Sequence, residues 1–455
     1  MHDQQSVHGS WSSRWVFILA ATGSAVGLGN IWKFPYIVGE NGGGAFVLVY
    51  LACIALVGVP IMMAEVVVGR RARQSPINAM REIAAETGAS RHWSLVGWCG
   101  ALAGFLIFAF YSVVSGWVLA YVFHAANGTF TGAGAEQVGR LFDNLLADPQ
   151  ALTIWHTVFV LLVMGVLARG VNRGLEQAIR VLMPSLFVLL LLLLMYALMT
   201  GAFSQGLDFL FSSDWSKLTW NSVLVALGHA FFTLSLGMGA IMVYGSYMPK
   251  KSSIAGTAMT VAALDTLVAL VAGMAIFPVV FANDLDPGAG PGLMFVTLPV
   301  AFGHMAGGQV FGFLFFLMVA IAAWSSAISL MEPALAWLVE RFKISRPLAA
   351  LALAVPGWLL GLGALASFNI GSEWLFLGMT FFDLLDFVTA NLMLPLGGLI
   401  LALFVGWFVK AEISRDELAM KNPAWVTLWR FLLRFVAPAA VLVVFVASLV
   451  DKLGG

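Results

Sequence analysis

Gly23-Ser24-Ala25-Val26-Gly27-Leu28-Gly29-Asn30-Ile31-Trp32-Lys33-Phe34-Pro35 lies inside the first long apolar run of this chain, residues 14–39. It is the wrong sequence for a simple membrane helix. Glycines, an asparagine, a lysine and a proline crowd the place where hydrocarbon favours leucine. Glycine weakens a helix and proline removes a donor, so the local preference is for an interrupted helix. Unwound backbone at membrane depth survives only where it faces protein or lines a water-filled site. Such a break frees carbonyls that can hold a cation and amides that can hold an anion. The stretch therefore reads as a binding site.

The surrounding composition sets the class. Of 455 residues, 61% are hydrophobic and 10% charged, and the mean hydropathy is +0.94. These values fit a polytopic membrane protein embedded in a lipid bilayer, not a soluble domain. A formal net charge of zero leaves no basic field for nucleic acid. Cys53 and Cys99 lie in or beside apolar runs and read as small buried residues. Arg14 precedes an apolar run too long and too glycine-rich for a cleaved signal, so the first helix is expected to stay.

Runs long enough to cross a bilayer fall at 14–39, 43–69, 94–124, 152–168, 177–200, 219–245, 253–282, 307–341, 347–366, 376–409 and 428–450. An N-terminus on the inner, cytoplasmic side places all 23 Lys and Arg there except Lys33, Arg140, Lys217 and Lys452. The odd number of runs then puts the C-terminus outside. Residues 282–306 form a turn-rich insert that reads as a lid between the seventh and eighth runs.

An internal echo strengthens the first reading. Phe231-Phe232-Thr233-Leu234-Ser235-Leu236-Gly237-Met238-Gly239 interrupts the sixth run, five runs after the first. Paired interrupted segments in corresponding halves point to a transporter's central site. Taken alone, Gly-x-Gly also permits close helix packing. Ionisable residues inside the runs cost about 2.5–3.5 kcal/mol each on insertion scales, so each needs a reason. Asp265 reads as a cation ligand or a satisfied internal acid. Lys33 and Asp386 read as an ion pair across the outer mouth, or as two snorkelling side chains. Glu65 is expected to accept from amides freed in the first break, while Asp383 and Glu332 are further cases. Ser325-Ser326 supplies hydroxyls suited to sodium, although serines in helices also bond their own carbonyls. Tyr111 is a packed aromatic or a ligand contact, and Gly174 and Pro184 mark a place where the fifth run can kink or unwind. There is no His-Glu-x-x-His, Gly-x-Ser-x-Gly or P-loop pattern, so catalysis has no candidate residues.

These residues together resemble the neurotransmitter:sodium symporter family. The likeness rests on Gly23 to Pro35 with Glu40-Asn41-Gly42-Gly43-Gly44-Ala45-Phe46, on Phe231 to Gly239, on Ser325-Ser326 with Pro333, and on Phe382-Asp383-Leu384-Leu385-Asp386-Phe387. It runs from Trp11 to about residue 410 and is similar to the bacterial eleven-helix branch. The resemblance implies an all-α membrane protein of eleven transmembrane helices. Two five-helix inverted repeats, spans 1–5 and 6–10, would carry broken helices 1 and 6 and work by alternating access. The corresponding segments are 1–13 (cytoplasmic), 14–200 (first repeat), 201–218 (outer loop), 219–410 (second repeat) and 411–455 (the last span and C-terminus).

By matching positions, one sodium is held by Ala25, Asn30, Thr233 and Asp265, and a second by Gly23, Val26, Ala322, Ser325 and Ser326. The implied substrate site comprises Ser24, Ala25, Gly27, Gly29, Ile107, Tyr111, Phe232, Thr233, Ser235, Met238, Ser326 and Leu330. Its carboxylate would meet Tyr111 and the backbone at Gly29, and Phe232 would act as an aromatic lid. Lys33 and Asp386 form the implied outer gate, while Gly174 and Pro184 match the family's helix-5 unwinding pattern.

Three departures from the family pattern carry information. Gly27 replaces the aspartate of monoamine carriers, so the substrate should bring its own carboxylate. Asp265 stands where many members have asparagine, and Ala269 stands one turn on, where some chloride-independent members carry glutamate. The charge of Asp265 predicts sodium coupling without chloride. At the inner gate Glu340 keeps the acid, but His8 occupies the arginine position, which predicts sensitivity to pH near neutrality. The expectation is a sodium-coupled amino-acid symporter of the inner membrane, with a hydrophobic or aromatic L-amino acid as substrate. The alternatives are uptake of taurine or a β- or γ-amino acid, or a sensor that binds without transporting.

Overall fold

The computed structural model describes residues 8–285 and 292–454, with side chains through residue 447. Among the described residues the chain is helical apart from two isolated bridges, Gly43 with Ser213 and Phe376 with Met379. In chain order the main helices begin with α1, a pair (Arg14–Ala25 and Gly29–Glu40) bent by 59° at its break. Then come α2 (Gly44–Ala72), α3 (Arg91–Ala126), α4 (Pro149–Ala168) and α5 (Val171–Leu198). Helix α6 is again in two pieces, Trp220–Thr233 and Ala240–Ser246. The rest are α7 (Ile254–Phe281), α8 (Gly308–Phe342), α9 (Arg346–Ala366), α10 (Phe381–Phe408) and α11 (Pro423–Ala447). Among the described residues, nine helices are long and apolar enough to span a bilayer alone, or ten with the α1 pair. The α6 pieces, of 14 and 7 residues, are each too short to do so.

Both breaks follow from local sequence. The first half of α1 starts at Ser13, whose hydroxyl accepts from the Val16 amide. It ends where Val26 turns extended, at φ −73° and ψ 107°. In α6 the first half starts with a reciprocal Thr219–Ser222 cap and stops at Thr233. Ser235, Gly237 and Gly239 then take positive φ, and a Cβ at Gly237 would lie 2.4 Å from the Leu394 carbonyl oxygen. Only glycine fits there.

Glu65 on α2 supports this second break. Its two carboxylate oxygens accept from the Gly237 amide at 2.8 Å and the Met242 amide at 3.1 Å. The expected support of the α1 break is therefore corrected: the amides freed in α6 lie against α2, and the acid serves them.

The central helices are α3 and α8, whose apolar windows are 78% and 72% buried, whereas those of α9 and α11 are 33% and 22% buried. The latter two present their leucine and valine faces outward, as lipid-facing helices do. α3 and α8 pack closely because Gly104 lies against the Leu330 carbonyl, where a Cβ would stand 2.6 Å away. Short helices, including Pro76–Thr87, Ala135–Ala147 and Phe203–Phe211, close the ends of the bundle. In the 282–306 insert, residues 286–291 lie outside the described residues. Beyond them, Leu293–His304 forms a helix whose Phe295 stacks on Phe142 and receives the Tyr121 hydroxyl on its carbonyl.

Candidate substrate and sodium site

The two breaks face each other at the middle of the bundle and line a pocket with a free volume of about 30 Å³. All twelve residues expected at the substrate site line it, joined by Leu28, Asn30 and Ser329. One end is rich in backbone and hydroxyl groups: the Leu28 amide approaches the Tyr111 hydroxyl at 3.5 Å, beside Gly29. Ile107, Met238 and Leu330 provide apolar wall. Gly27 has no room for a side chain, since a Cβ there would lie 2.8 Å from Ser326 Oγ and 3.2 Å from the Tyr111 hydroxyl.

Beside the pocket, Asp265 of α7 is fully buried and gathers donors from three helices. Asn30 Nδ2 donates to its Oδ1 at 2.7 Å, and Thr233 Oγ1 lies 2.9 and 3.1 Å from its two oxygens. Tyr50 of α2 donates to Oδ2 at 3.4 Å. Asn30, Thr233 and Asp265 are thus brought together, and Ala25 shares the pocket wall with the first two. The second expected group also converges. Ser326 Oγ lies 3.0 Å from the Val26 carbonyl and 3.3 Å from that of Gly23, while Ser325 Oγ donates to the Ala322 carbonyl at 3.0 Å. Every donor atom in these two groups is a hard oxygen, the ligand type that suits an alkali cation held at a broken helix.

Phe232 separates the pocket from a second, larger space of about 1030 Å³ on the far side from the N-terminus, because it lines both. Lys33, Asp386, Tyr36 and Asn391 also line that vestibule. The expected Lys33–Asp386 ion pair is not made: both side chains are exposed to the vestibule and no contact of 4 Å or less joins them. Lys33 Nζ instead lies over the Phe232 ring, 5.7 Å from its centre. The open vestibule explains the difference, since it keeps α1 and α10 apart at this level. Asp383 is no mid-membrane charge either; it caps the start of α10 by accepting from Thr380 Oγ1 at 2.7 Å.

The opposite face is sealed. His8 Nε2 lies 3.0 Å from Glu340 Oε1, and the same carboxylate accepts from the Ser75 amide at 2.7 Å and from Asn78 Nδ2 at 2.6 Å, besides the Ser75 hydroxyl. Trp11 donates through its amide to the Tyr247 carbonyl and through its indole to that of Tyr244. Ser12 bonds Glu176, and Arg14 donates to Thr257 Oγ1. Glu332 is held by the Tyr247 hydroxyl and Arg346. Glu82, on the short helix beside this cluster, has its carboxyl raised above the ordinary value by burial. Gly174 sits in a π-helical turn, Val171–Glu176, that runs on into an intact helix containing Pro184. A Cβ at Gly174 would lie 2.2 Å from the Val166 carbonyl, so this turn too requires glycine.

Sequence reading missed Ser329, which lies one turn beyond Ser326 on the same face, a spacing that marks it in retrospect. It also missed Tyr50, Ser75 and Asn78, whose roles depend on tertiary neighbours.

Two broken helices around a pocket flanked by oxygen-rich clusters, open to one face and sealed on the other, define a secondary transporter. The chain belongs to the sodium:neurotransmitter symporter family, whose model matches residues 8–133 and 135–453. It is a sodium-dependent, multi-pass membrane transporter and not an enzyme. It is 37% identical to the uncharacterized sodium-dependent transporter YhdH of Bacillus subtilis, covering 98% of each chain. It is 32% identical to an uncharacterized sodium-dependent transporter of Haemophilus influenzae, over 97% of this chain and 98% of that one. Among solved structures, that of MhsT in complex with L-phenylalanine superposes with a TM-score of 0.89 at 45% identity, covering 97% of this chain and 99% of the other.

Proposed function

We propose that this protein is a sodium-coupled symporter that imports a hydrophobic or aromatic L-amino acid across the inner membrane by alternating access. Eleven spans are proposed, α6 being the broken eleventh, with the first five and next five as inverted repeats. The N-terminus is cytoplasmic and the C-terminus external. The observation that carries the reading is the pocket itself, in which the freed backbone and Tyr111 face apolar walls of Ile107, Met238 and Leu330. A zwitterion with an apolar side chain matches both. The absence of a carboxylate at Gly27 leaves that charge to the substrate, and the phenylalanine in the MhsT complex is an amino acid of this kind.

Two sodium ions are proposed, one at Ala25, Asn30, Thr233 and Asp265 with the substrate carboxylate, the other at Gly23, Val26, Ala322, Ser325 and Ser326. Asp265 supplies the compensating negative charge, so chloride is not needed. Lys33 with Asp386, and His8 with Glu340, serve as outer and inner gates. Phe232 closes over the substrate, and the Gly174–Pro184 segment loosens to release the second sodium inward. Two charges crossing 100 mV gain about 4.6 kcal/mol. A tenfold sodium gradient adds about 1.4 kcal/mol per ion. The sum, about 7 kcal/mol, sustains an accumulation of roughly 10⁵ at the limit.

The test is uptake of radiolabelled L-phenylalanine by proteoliposomes with sodium or potassium outside. Accumulation in sodium alone supports the reading. Equal binding and uptake in potassium refutes it, and sodium-dependent binding without uptake identifies a sensor.

A further inference from the structure

The tenth apolar run, read from the sequence as starting at residue 376, becomes helical only at Phe381. Residues 367–380, between α9 and α10, divide into a base held by the bundle and a projecting tip. In the base, Ser367 Oγ accepts from the Phe382 amide at 3.0 Å, and Asn369 Nδ2 donates to the Leu146 carbonyl at 2.9 Å. Phe368 packs edge-on against Trp117 and Phe382. The tip is different: residues 372–378 are all exposed, among them the unbroken apolar run Trp374-Leu375-Phe376-Leu377. The segment 367–380 has a single charged residue, Glu373, at the start of that run.

The turn at the tip is built at a cost. Phe376 and Met379 exchange backbone hydrogen bonds of 2.8 and 3.0 Å, which makes Leu377 and Gly378 the two central residues of a hairpin turn. Both have positive φ, 53° and 74°. Asn-Gly or Asp-Gly is the usual choice there, because an ordinary side chain strains a left-handed backbone. Leu377 accepts that strain while 83% exposed, so contacts within the chain do little to offset it. Its surroundings indicate what does. Helix α9 has 21 residues. At a rise of about 1.5 Å per residue it just crosses a hydrocarbon core of about 30 Å, so the loop begins at the headgroup boundary. Leu348, Leu351, Val355 and Leu359 form one exposed stripe along α9, and Ile370, also exposed, follows where the helix ends. The apolar tip thus continues a lipid-facing surface.

We infer that this hairpin is an interfacial anchor: Trp374, Leu375, Phe376 and Leu377 insert into the leaflet that borders the vestibule face, and Glu373 stays among the headgroups. Tryptophan suits that depth, having an apolar ring and a polar N–H. The anchor holds the corner between α9 and α10 against the membrane, and from that corner α10 carries Asp386 into the vestibule wall. The test uses the full-length protein with Cys53→Ser and Cys99→Ser and one new cysteine, Phe376→Cys or Leu377→Cys. Glu136→Cys, on the exposed face of the short helix Ala135–Ala147, is the water reference. Each is labelled with a fluorophore and reconstituted in phosphatidylcholine–phosphatidylglycerol vesicles. Quenching is measured with iodide on both sides of the membrane and with lipids carrying a nitroxide near the headgroup or near the chain end. Labels at 376 and 377 are expected to report a depth about 5–10 Å below the headgroup boundary and to lose most iodide quenching, unlike the label at 136. Iodide quenching as strong at 376 and 377 as at 136 would overturn the inference. So would protection from both iodide and the lipid nitroxides, which would identify a second copy or another protein as the cover.

Discussion

Replacing Asp265 with asparagine isolates the role of one charge, because the two side chains have nearly the same shape. Asp265 accepts from Asn30, Thr233 and Tyr50. Asparagine retains one carbonyl oxygen for Asn30, and the Thr233 and Tyr50 hydroxyls can rotate to meet its amide. The main loss is therefore electrostatic. A unit charge about 4 Å from a sodium ion, at an effective dielectric near 20, contributes about 4 kcal/mol, or roughly a thousandfold in affinity. The retained carbonyl oxygen recovers part of this, so Asp265→Asn should weaken sodium about 100-fold, within that limit. The assay is a sodium titration of L-phenylalanine binding to purified protein, with potassium holding ionic strength constant. A half-saturating sodium concentration within about threefold of the unmodified protein would refute the assigned role, since a neutral side chain would then serve as well. A companion measurement compares uptake in chloride and gluconate media. Equal uptake is expected, and a strict chloride requirement would remove Asp265 as the compensating charge.

Gly27→Ala should weaken both substrate and sodium by about tenfold, the effect of losing roughly one hydrogen bond. Its Cβ displaces Ser326 Oγ from the Val26 and Gly23 carbonyls, and substrate loss with normal sodium binding would contradict that coupling. Glu65→Gln leaves one of the Gly237 and Met242 amides facing an NH₂ donor. It should cost about 1–3 kcal/mol, read as a lower thermal midpoint than that of the unmodified protein, and an unchanged midpoint would count against the capping role. His8→Arg should strengthen the inner contact with Glu340, because a forked, permanently charged guanidinium replaces a single ring nitrogen. The expected result is slower uptake with unchanged sodium-dependent binding, and unchanged uptake sinks that assignment.

The parts of the site legible in the sequence are those built from backbone. Gly23 to Pro35 and Phe231 to Gly239 announce their breaks because glycine, serine and proline are costly in a membrane helix, whatever packs around them. Ser325 and Ser326 are readable for a related reason, as adjacent hydroxyls on one apolar run. What was not legible depends on distant partners. Glu65 stands out as a buried acid, but nothing in its neighbourhood says that it reaches Gly237 and Met242 on α6 and not the amides of α1. Tyr50 reaches Asp265 across 215 positions with no local mark of doing so. The separation of Lys33 and Asp386 was not legible either, because sequence carries their complementary charges but not the distance between α1 and α10.

The distribution of contacts along α1 suggests how ion binding governs access. The segment leading into it and its first residue carry the seal: His8, Trp11, Ser12 and Arg14 bind Glu340, the Tyr244 and Tyr247 carbonyls, Glu176 and Thr257. The two proposed ion sites lie farther along and tie it to different neighbours, Asn30 to α6 and α7 through Asp265, and Gly23 and Val26 to α8 through Ser326. An ion at the second site therefore braces the half of α1 that carries the seal, while the first site braces the half that lines the vestibule. Met183 and Ile179 of α5 press on Gly23 from behind, where even a methyl group would stand 3.1 Å from the Met183 sulfur. Loosening α5 near Gly174 would remove that support from the second site and leave the first intact. Ion release on this account is ordered, the second site first. Met183→Ala should then speed sodium loss from the second site without changing the charge-dependent affinity at Asp265, a split that stopped-flow dilution of bound sodium can resolve. Equal acceleration at both sites would show that the two halves of α1 move as one.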